Sequence, residues 1–204
     1  MSQDDDEGIR IEAAEIIAGG GIIAFRTDTL YGLGADPFNN QAVGRIRELK
    51  GREEAKPILS LLSDLSEIDR FITHRSEVFQ RVANHFWPGP LTLIGVARPE
   101  LPSELTAGTG TIGLRLPDNE SVRALVRACG RALTATSANV SGQPPAWNAK
   151  DVIECFPVGV DLVVDGGEVS ATQASTVLDL SGERARLVRE GAVTREALEG
   201  FVLF

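Results

Sequence analysis

Cysteine, histidine and aromatic residues are all scarce in this 204-residue sequence. It contains two cysteines, two histidines and 5% aromatic residues. Cys129 and Cys155 do not form a C-x-x-C pair and are too few for a disulfide framework, so we predict two reduced, buried thiols. His74 and His85 are not part of a metal-ligand pattern, and no metal site is predicted.

Basic residues and long apolar runs are also lacking. Lysine and arginine number 20 against 29 acidic residues, which gives a net charge of −9. Since proteins that bind nucleic acid through phosphates usually carry a basic excess, any RNA-binding surface here must be local. No apolar run approaches the roughly 20 residues that span a bilayer, and no signal pattern is present. We therefore predict a cytoplasmic protein without membrane association.

Composition otherwise fits one globular domain, with 43% hydrophobic and 24% charged residues. We predict an acidic, frayed tail over residues 1–8 and a single domain over residues 9–204. Three common motifs do not apply. Neither G-x-x-x-x-G-K-S/T nor G-x-S-x-G occurs. Residues 108–113 match G-x-G-x-x-G but precede a predicted strand instead of following one, so a dinucleotide site is disfavoured.

Apolar periodicity predicts helices and strands that alternate, but not as regular βαβ units. Residues 26–35 are interpreted as a turn rich in glycine and hydroxyl groups, and Asp118 as a helix N-cap. Because some predicted strands follow one another without a helix, we expect an α/β protein of the α+β type, with a twisted mixed sheet and helices packed on it. Predicted strands are 22–25, 58–62, 91–96, 111–116, 132–136, 161–165, 175–180 and 186–188.

Three separated segments together indicate a site for an anionic ligand. The turn at residues 26–35 offers hydroxyls and glycines, although a purely structural turn has the same composition. Lys50, Arg52 and Lys56 supply cations that suit phosphates, although the helix dipole alone also favours Lys50. Hydroxyl and amide side chains crowd the end of the strand at 132–136, where ligands often bind in α/β sheets, although such clusters also cap turns.

Seven ordered motifs give the sequence a family resemblance. It resembles the YrdC-like family, the threonylcarbamoyl-AMP synthases, whose pattern is P-T-D/E-T-x-Y-G-L-G, K-x-R-x-x-x-K-P, F-W-P-G-P-L-T, R-x-P, S-A-N-x-S-G, S-T-V and R-x-G. The matching segments are residues 27–34, 50–57, 86–92, 115–117, 137–142, 175–177 and 189–191.

The resemblance implies a YrdC-like fold with a concave ligand-binding face, and an enzyme of the short, single-domain type. It implies a nucleotidyltransferase that makes threonylcarbamoyl-AMP and pyrophosphate from ATP, L-threonine and bicarbonate, with tRNA reached indirectly through a downstream transferase. The chemistry of the phosphates also predicts Mg²⁺. Threonine would contact Thr29, Arg115 and Ser175. The nucleotide and its phosphates would contact Lys50, Arg52, Lys56, Thr111, Ser137, Asn139 and Arg189, with Lys50, Arg52 and Lys56 acting in catalysis.

Three positions depart from the family pattern. Arg26 replaces a proline, Leu61 a frequent histidine near threonine, and Pro145 a common hydroxyl. Two alternative functions remain open. One is a paralogue that makes a different carbamoyl- or acyl-adenylate, and the other is a module that binds double-stranded RNA or tRNA through a local basic face.

Overall fold

The structure, a computed structural model, describes residues 6–51, 56–170 and 173–204. Helices in these residues are α1 (Glu7–Ala18), α2 (Asn40–Leu49), α3 (Glu77–Phe86), α4 (Ser103–Thr106), α5 (Glu120–Ala128), α6 (Ala149–Cys155), α7 (Arg195–Glu199) and a 3-10 helix at Leu65–Arg70. Strands are β1 (Ile23–Arg26), β2 (Tyr31–Gly34), β3 (Leu59–Leu62), β4 (Leu91–Val96), β5 (Thr111–Arg115), β6 (Ala132–Ser137), β7 (Leu162–Val164), β8 (Thr176–Asp179) and β9 (Arg186–Arg189).

The nine strands of the described residues form one twisted, mixed sheet, as the sequence predicted. Their order is β7-β1-β2-β6-β3-β5-β4-β8-β9. The pairs β1–β7, β3–β5 and β4–β8 are parallel, and the other neighbouring pairs are antiparallel. The sheet therefore joins strands that lie far apart along the chain.

Two hydrophobic clusters cover the opposite faces of this sheet. Ile23 and Phe25 belong to one cluster and Ile22 and Ala24 to the other, as the two-residue period of a strand requires. The cluster with Phe25 includes side chains of α1 and α5, which cover only part of their face. The rest of that face, over β3, β4, β5 and β8, is left open and forms a concave surface.

Side-chain caps fix where the helices begin. Asp6 Oδ1 accepts a hydrogen bond of 2.7 Å from Gly8 N, so α1 starts at Glu7. The predicted frayed tail over residues 1–8 is thus too long, and residues 1–5 lie outside the described residues. The predicted cap Asp118 is also wrong by one residue, because Asn119 accepts from Val122 N at 3.1 Å.

Strand β2 corrects the prediction of a turn over residues 26–35. Only Thr27 to Leu30 turn the chain, and Tyr31–Gly34 pairs with β1 on one side and with β6 on the other. Gly34 lies against a ring of β1, since an added Cβ would stand 2.6 Å from Phe25 Cε1. Because two of its four residues are glycines, β2 does not have the sequence pattern of a strand, and pairing with β1 and β6 stabilises it.

The two cysteines differ in burial. Cys129 is buried, and burial raises the pKa of its thiol to about 12, so this thiol stays neutral near pH 7. Cys155 is half-buried, so the prediction of two buried thiols is right only for Cys129. Among the helices that the structure describes, none has the length and apolar character of a membrane span.

Candidate functional site

The open part of the concave face holds a pocket of about 420 Å³. Hydroxyl and cationic side chains converge there from turns and strands that are distant in sequence. Six of the ten predicted site residues line it, namely Thr29, Lys56, Arg115, Ser137, Ser175 and Arg189. A larger cavity of about 910 Å³ lies beside α1 and the end of α5, but none of the ten lines it. The chemistry therefore places the candidate site in the smaller pocket.

Arg115 ends β5 and is almost completely buried, with 3% exposure. Its Nε donates to Gly89 O at 3.0 Å, Nη1 to Thr29 Oγ1 at 3.1 Å and Nη2 to Asp28 Oδ2 at 2.6 Å. Burial lowers the pKa of the guanidinium, and the charge of Asp28 opposes that shift. Arg115 is thus a cation held at a fixed place in the pocket wall, and not an outward-facing edge residue.

The turn between β1 and β2 presents Thr29 to the pocket. Thr27 Oγ1 accepts from the amides of Thr29 and Leu30 at 3.2 and 3.1 Å and donates to Leu30 O at 2.6 Å. These bonds within the turn leave Thr29 Oγ1 beside Arg115. Tyr31, which follows this turn, donates to Gly167 O at 2.9 Å. Burial raises its pKa to about 12, so the hydroxyl stays protonated near pH 7.

A hydroxyl pair and a second arginine also line the pocket. Ser175 Oγ lies 3.2 Å from Thr92 Oγ1. Arg189 Nε and Nη2 donate to Ser175 O at 3.1 and 2.8 Å, and Nη2 also lies 3.2 Å from Ser175 Oγ. Burial lowers the pKa of Arg189. Arg189 therefore fixes the backbone of Ser175 and brings a positive charge to the pocket.

Lys50 lies behind the pocket, with 1% exposure. Its ammonium donates to Ser137 O, and to Asn139 O at 2.8 Å. Asn139 Nδ2 donates to Gln143 O at 2.6 Å, while its Oδ1 is buried without a hydrogen-bond partner. Lys50 thus holds the segment that presents Ser137 to the pocket. Its own contact with phosphate stays a prediction.

Of the predicted residues Lys56, Thr111 and Arg52, only Lys56 is found in the described lining of the pocket. Lys56 lines the pocket, and its backbone carbonyl accepts from Arg47 Nη2 at 3.1 Å. Thr111 begins β5 and lies 3.0 Å, Oγ1 to Oγ1, from Thr109, outside the pocket lining. Arg52 lies outside the described residues. The ligand contacts of all three stay predictions.

The sequence analysis gave no role to two candidate functional residues, Asp28 and Thr92, although both lie in the quoted motifs. Asp28 is the acidic residue of the first motif and binds Arg115. Thr92 ends the F-W-P-G-P-L-T segment, is buried, and contacts Ser175. Asp28 could have been found as a polar neighbour of the assigned Thr29, whereas the sequence places no assigned residue beside Thr92. Only the sheet register, which pairs β4 with β8, shows that Thr92 meets Ser175.

Replacing Gly191 with alanine should displace the Ser175 wall. The new Cβ would stand 2.2 Å from Ala174 O and 2.9 Å from the carbonyl carbon of Ser175. Because backbone atoms must move, we expect a loss of about 1–3 kcal/mol in unfolding free energy. Thermal and denaturant melts check this loss. Gly200→Ala is the matched control, since nothing lies within 4 Å of its Cβ position. Equal stability of the two variants would contradict the contact.

The fold and the pocket define a YrdC-like α/β protein with a concave site rich in cations and hydroxyls. The chain belongs to the Sua5/YciO/YrdC family, whose family model, described as "Telomere recombination", matches residues 15–191. The resemblance stated from the sequence motifs is therefore confirmed.

Relatives include threonylcarbamoyl-AMP synthases from two bacteria. That of Bacillus subtilis (strain 168) is 35% identical over 192 residues, covering 94% of this chain and 56% of the relative. That of Idiomarina loihiensis is 38% identical over 168 residues, covering 79% of this chain and 90% of the relative. The chain thus spans little more than half the length of the Bacillus protein.

Solved structures share the fold closely. Pyrococcus abyssi Sua5 complexed with L-threonine superposes with a TM-score of 0.91 at 34% identity, covering 97% of this chain and 59% of Sua5. Escherichia coli YciO superposes with a TM-score of 0.84 at 27% identity, covering 96% of this chain and 93% of YciO. The YrdC-like fold predicted from the sequence is confirmed.

Proposed function

We propose that this protein is an enzyme that makes threonylcarbamoyl-AMP and pyrophosphate from ATP, L-threonine and bicarbonate. The observation that carries the proposal is the convergence of Arg115, Thr29 and Ser175 with Lys56 and Arg189 in one pocket of this fold. Relatives that are named threonylcarbamoyl-AMP synthases, and a similar structure that binds L-threonine, support it. The product would then serve a downstream transferase that modifies tRNA.

The proposed reaction has two steps. The amine of threonine attacks bicarbonate carbon and expels water, which gives an N-carboxylate. An oxygen of that carboxylate then attacks the α-phosphorus of ATP, and the bond to the β-phosphate oxygen breaks as pyrophosphate leaves. No step needs a protein nucleophile. The pocket must instead hold several anions in line, which fixed cations and hydroxyls can do.

Each wall of the pocket suits one part of this task. Arg115 would bind the threonine carboxylate, and Thr29 and Ser175 would also contact threonine. Lys56, Arg189 and Ser137 would contact the nucleotide and its phosphates. Lys50 would act through the Ser137 segment, and Arg52 would supply a further positive charge for the phosphates. Neutralising phosphate charge in a partly buried site favours the leaving of pyrophosphate.

Magnesium would have to be held mainly by ATP itself. No carboxylate of residues 6–51, 56–170 or 173–204 lines the pocket, and these residues contain no group of three or more metal-ligating side chains. Because Mg²⁺ prefers oxygen ligands and commonly takes them from phosphates and water, the described lining does not form its site. No step above is therefore assigned to it.

Mass spectrometry of the product tests the function. Incubation of the protein with ATP, L-threonine and bicarbonate should yield threonylcarbamoyl-AMP, and omission of either small substrate should prevent it. An amino-acid panel in a pyrophosphate assay separates a paralogue, which would prefer another amino acid. RNA affinity that falls steeply with salt, without any ATP turnover, would instead favour the RNA-binding alternative.

A further inference from the structure

The ion pair between Arg115 and Asp28 is the most enclosed one near the pocket. Side-chain exposure is 3% for Arg115 and 16% for Asp28, and Nη2 to Oδ2 is 2.6 Å. Asp28 does not line the pocket, although its neighbours Thr27 and Thr29 do. It stands behind the guanidinium, where it can act on a ligand only through Arg115.

The second carboxylate oxygen of Asp28 indicates that this residue does not serve only to build the turn. Asp28 Oδ1 is buried and has no hydrogen-bond partner. Oδ2 accepts from Arg115, and from the amide of Asp118 only at 3.4 Å. A buried carboxylate that only built the turn would be expected to use both oxygens, because an unsatisfied buried acceptor is costly. Its one strong interaction is with the guanidinium of Arg115.

The guanidinium has five N–H groups in a rigid plane. Gly89 O, Thr29 Oγ1 and Asp28 Oδ2 each accept from a different nitrogen. Three contacts on three nitrogens fix both the position and the rotation of the plane. One hydrogen on each Nη then remains beyond these three bonds, and both Arg115 and Thr29 line the pocket. An incoming carboxylate needs such donors in a fixed direction.

We infer that Asp28 is a positioning residue, which orients the guanidinium of Arg115 so that its remaining donors face the carboxylate of an amino-acid substrate. This inference rests on the proposed function for the identity of that substrate as L-threonine. Asp28 provides an acceptor at the correct place, and its negative charge is secondary. An uncharged acceptor of the same shape should therefore suffice, whereas a shorter side chain should not.

Three variants separate orientation from charge. Asp28→Asn loses the charge but keeps an oxygen that can accept from Nη2. Asp28→Ala and Asp28→Ser also lose the charge, and their shorter side chains cannot reach Nη2 of Arg115. We expect the KM for L-threonine to rise at least 10-fold in the alanine and serine variants and to stay within 3-fold in the asparagine variant. The KM for ATP should change less than 3-fold in all three.

Steady-state kinetics of threonylcarbamoyl-AMP formation, with calorimetric titration of L-threonine, make the test. Glu67→Gln is the matched control. Glu67 is another buried carboxylate, 2.8 Å from Arg70, outside the pocket lining. Its variant should keep wild-type KM values. Melting curves select the folded variants, and the serine variant serves if the alanine variant does not fold.

The outcomes are distinct. Equal rises in threonine KM for the asparagine and serine variants would show that charge alone matters and would overturn the inference. So would unchanged threonine affinity in the serine variant, or a parallel rise in the KM for ATP. A wild-type protein that neither binds L-threonine nor forms the product would instead contradict the proposed function.

Discussion

Replacing Arg115 with alanine should lower threonine-dependent pyrophosphate release by about 100-fold or more. Each hydrogen bond to a charged group is worth about 1.5–3 kcal/mol, and two such bonds to the substrate carboxylate would be lost. Each 1.36 kcal/mol corresponds to a factor of ten in rate, so the loss spans about two to four decades. Pyrophosphate release with saturating ATP and varied threonine measures it.

The alanine variant leaves Asp28 buried without its partner, which should cost about 3–5 kcal/mol of stability. A second substitution, Asp28→Asn in the same chain, removes that charge and should recover stability without recovering activity. Arg127→Ala is the control arginine, because Arg127 is exposed and paired only at the surface. A folded double variant with wild-type turnover would show that Arg115 does not bind the substrate.

Lys50→Met should both lower stability and weaken the nucleotide half of the site. The buried ammonium donates to Ser137 O and to Asn139 O at 2.8 Å. Without it, the carbonyl of Asn139 loses its donor, at about 1–3 kcal/mol, while Ser137 O keeps the amide of Asn139 at 2.9 Å. The segment that presents Ser137 should then loosen, so we expect the KM for ATP to rise more than 10-fold and that for threonine less than 3-fold.

Urea melts and substrate-varied kinetics check this prediction. Lys150→Met is the matched control, since Lys150 is highly exposed and its ion pair with Glu154 lies on the helix surface. A Lys50→Met protein that melts like wild type would refute the anchoring role. One that is destabilised but keeps its affinity for ATP would separate the anchor from nucleotide binding.

Strands with continuous apolar runs could be predicted because a short apolar run bounded by turn residues is typical of a strand in a sheet core. Residues 91–96 are a strand in both prediction and structure. The run at 132–136 extends one residue further, to Ser137. Strand β2 could not be predicted, since Gly32 and Gly34 weaken any local preference and its neighbours come from elsewhere in the chain. Local pattern thus located the buried strands but not the one defined by its partners.

The site shows the same limit. Six of the ten residues assigned from the motifs line the pocket, because polar groups at strand ends are visible in the sequence. They could not show what each side chain contacts. The contact of Lys50 with phosphate stays a prediction, and no sequence pattern shows that its ammonium reaches backbone carbonyls 87 and 89 residues away. Asp28 attracted no role, because its partner Arg115 lies 87 residues along the chain.

The strand order of the sheet also has a consequence during synthesis. The pocket takes residues from Thr27 to Arg189, and β4, which lines it, pairs with β8, some 85 residues later. A nascent chain therefore cannot bind substrate until its last strands have left the ribosome. Once formed, the pocket joins the early and late parts of the chain. A ligand at 100 times its Kd would then add about 2.7 kcal/mol against opening of the whole sheet, so occupancy would report complete folding.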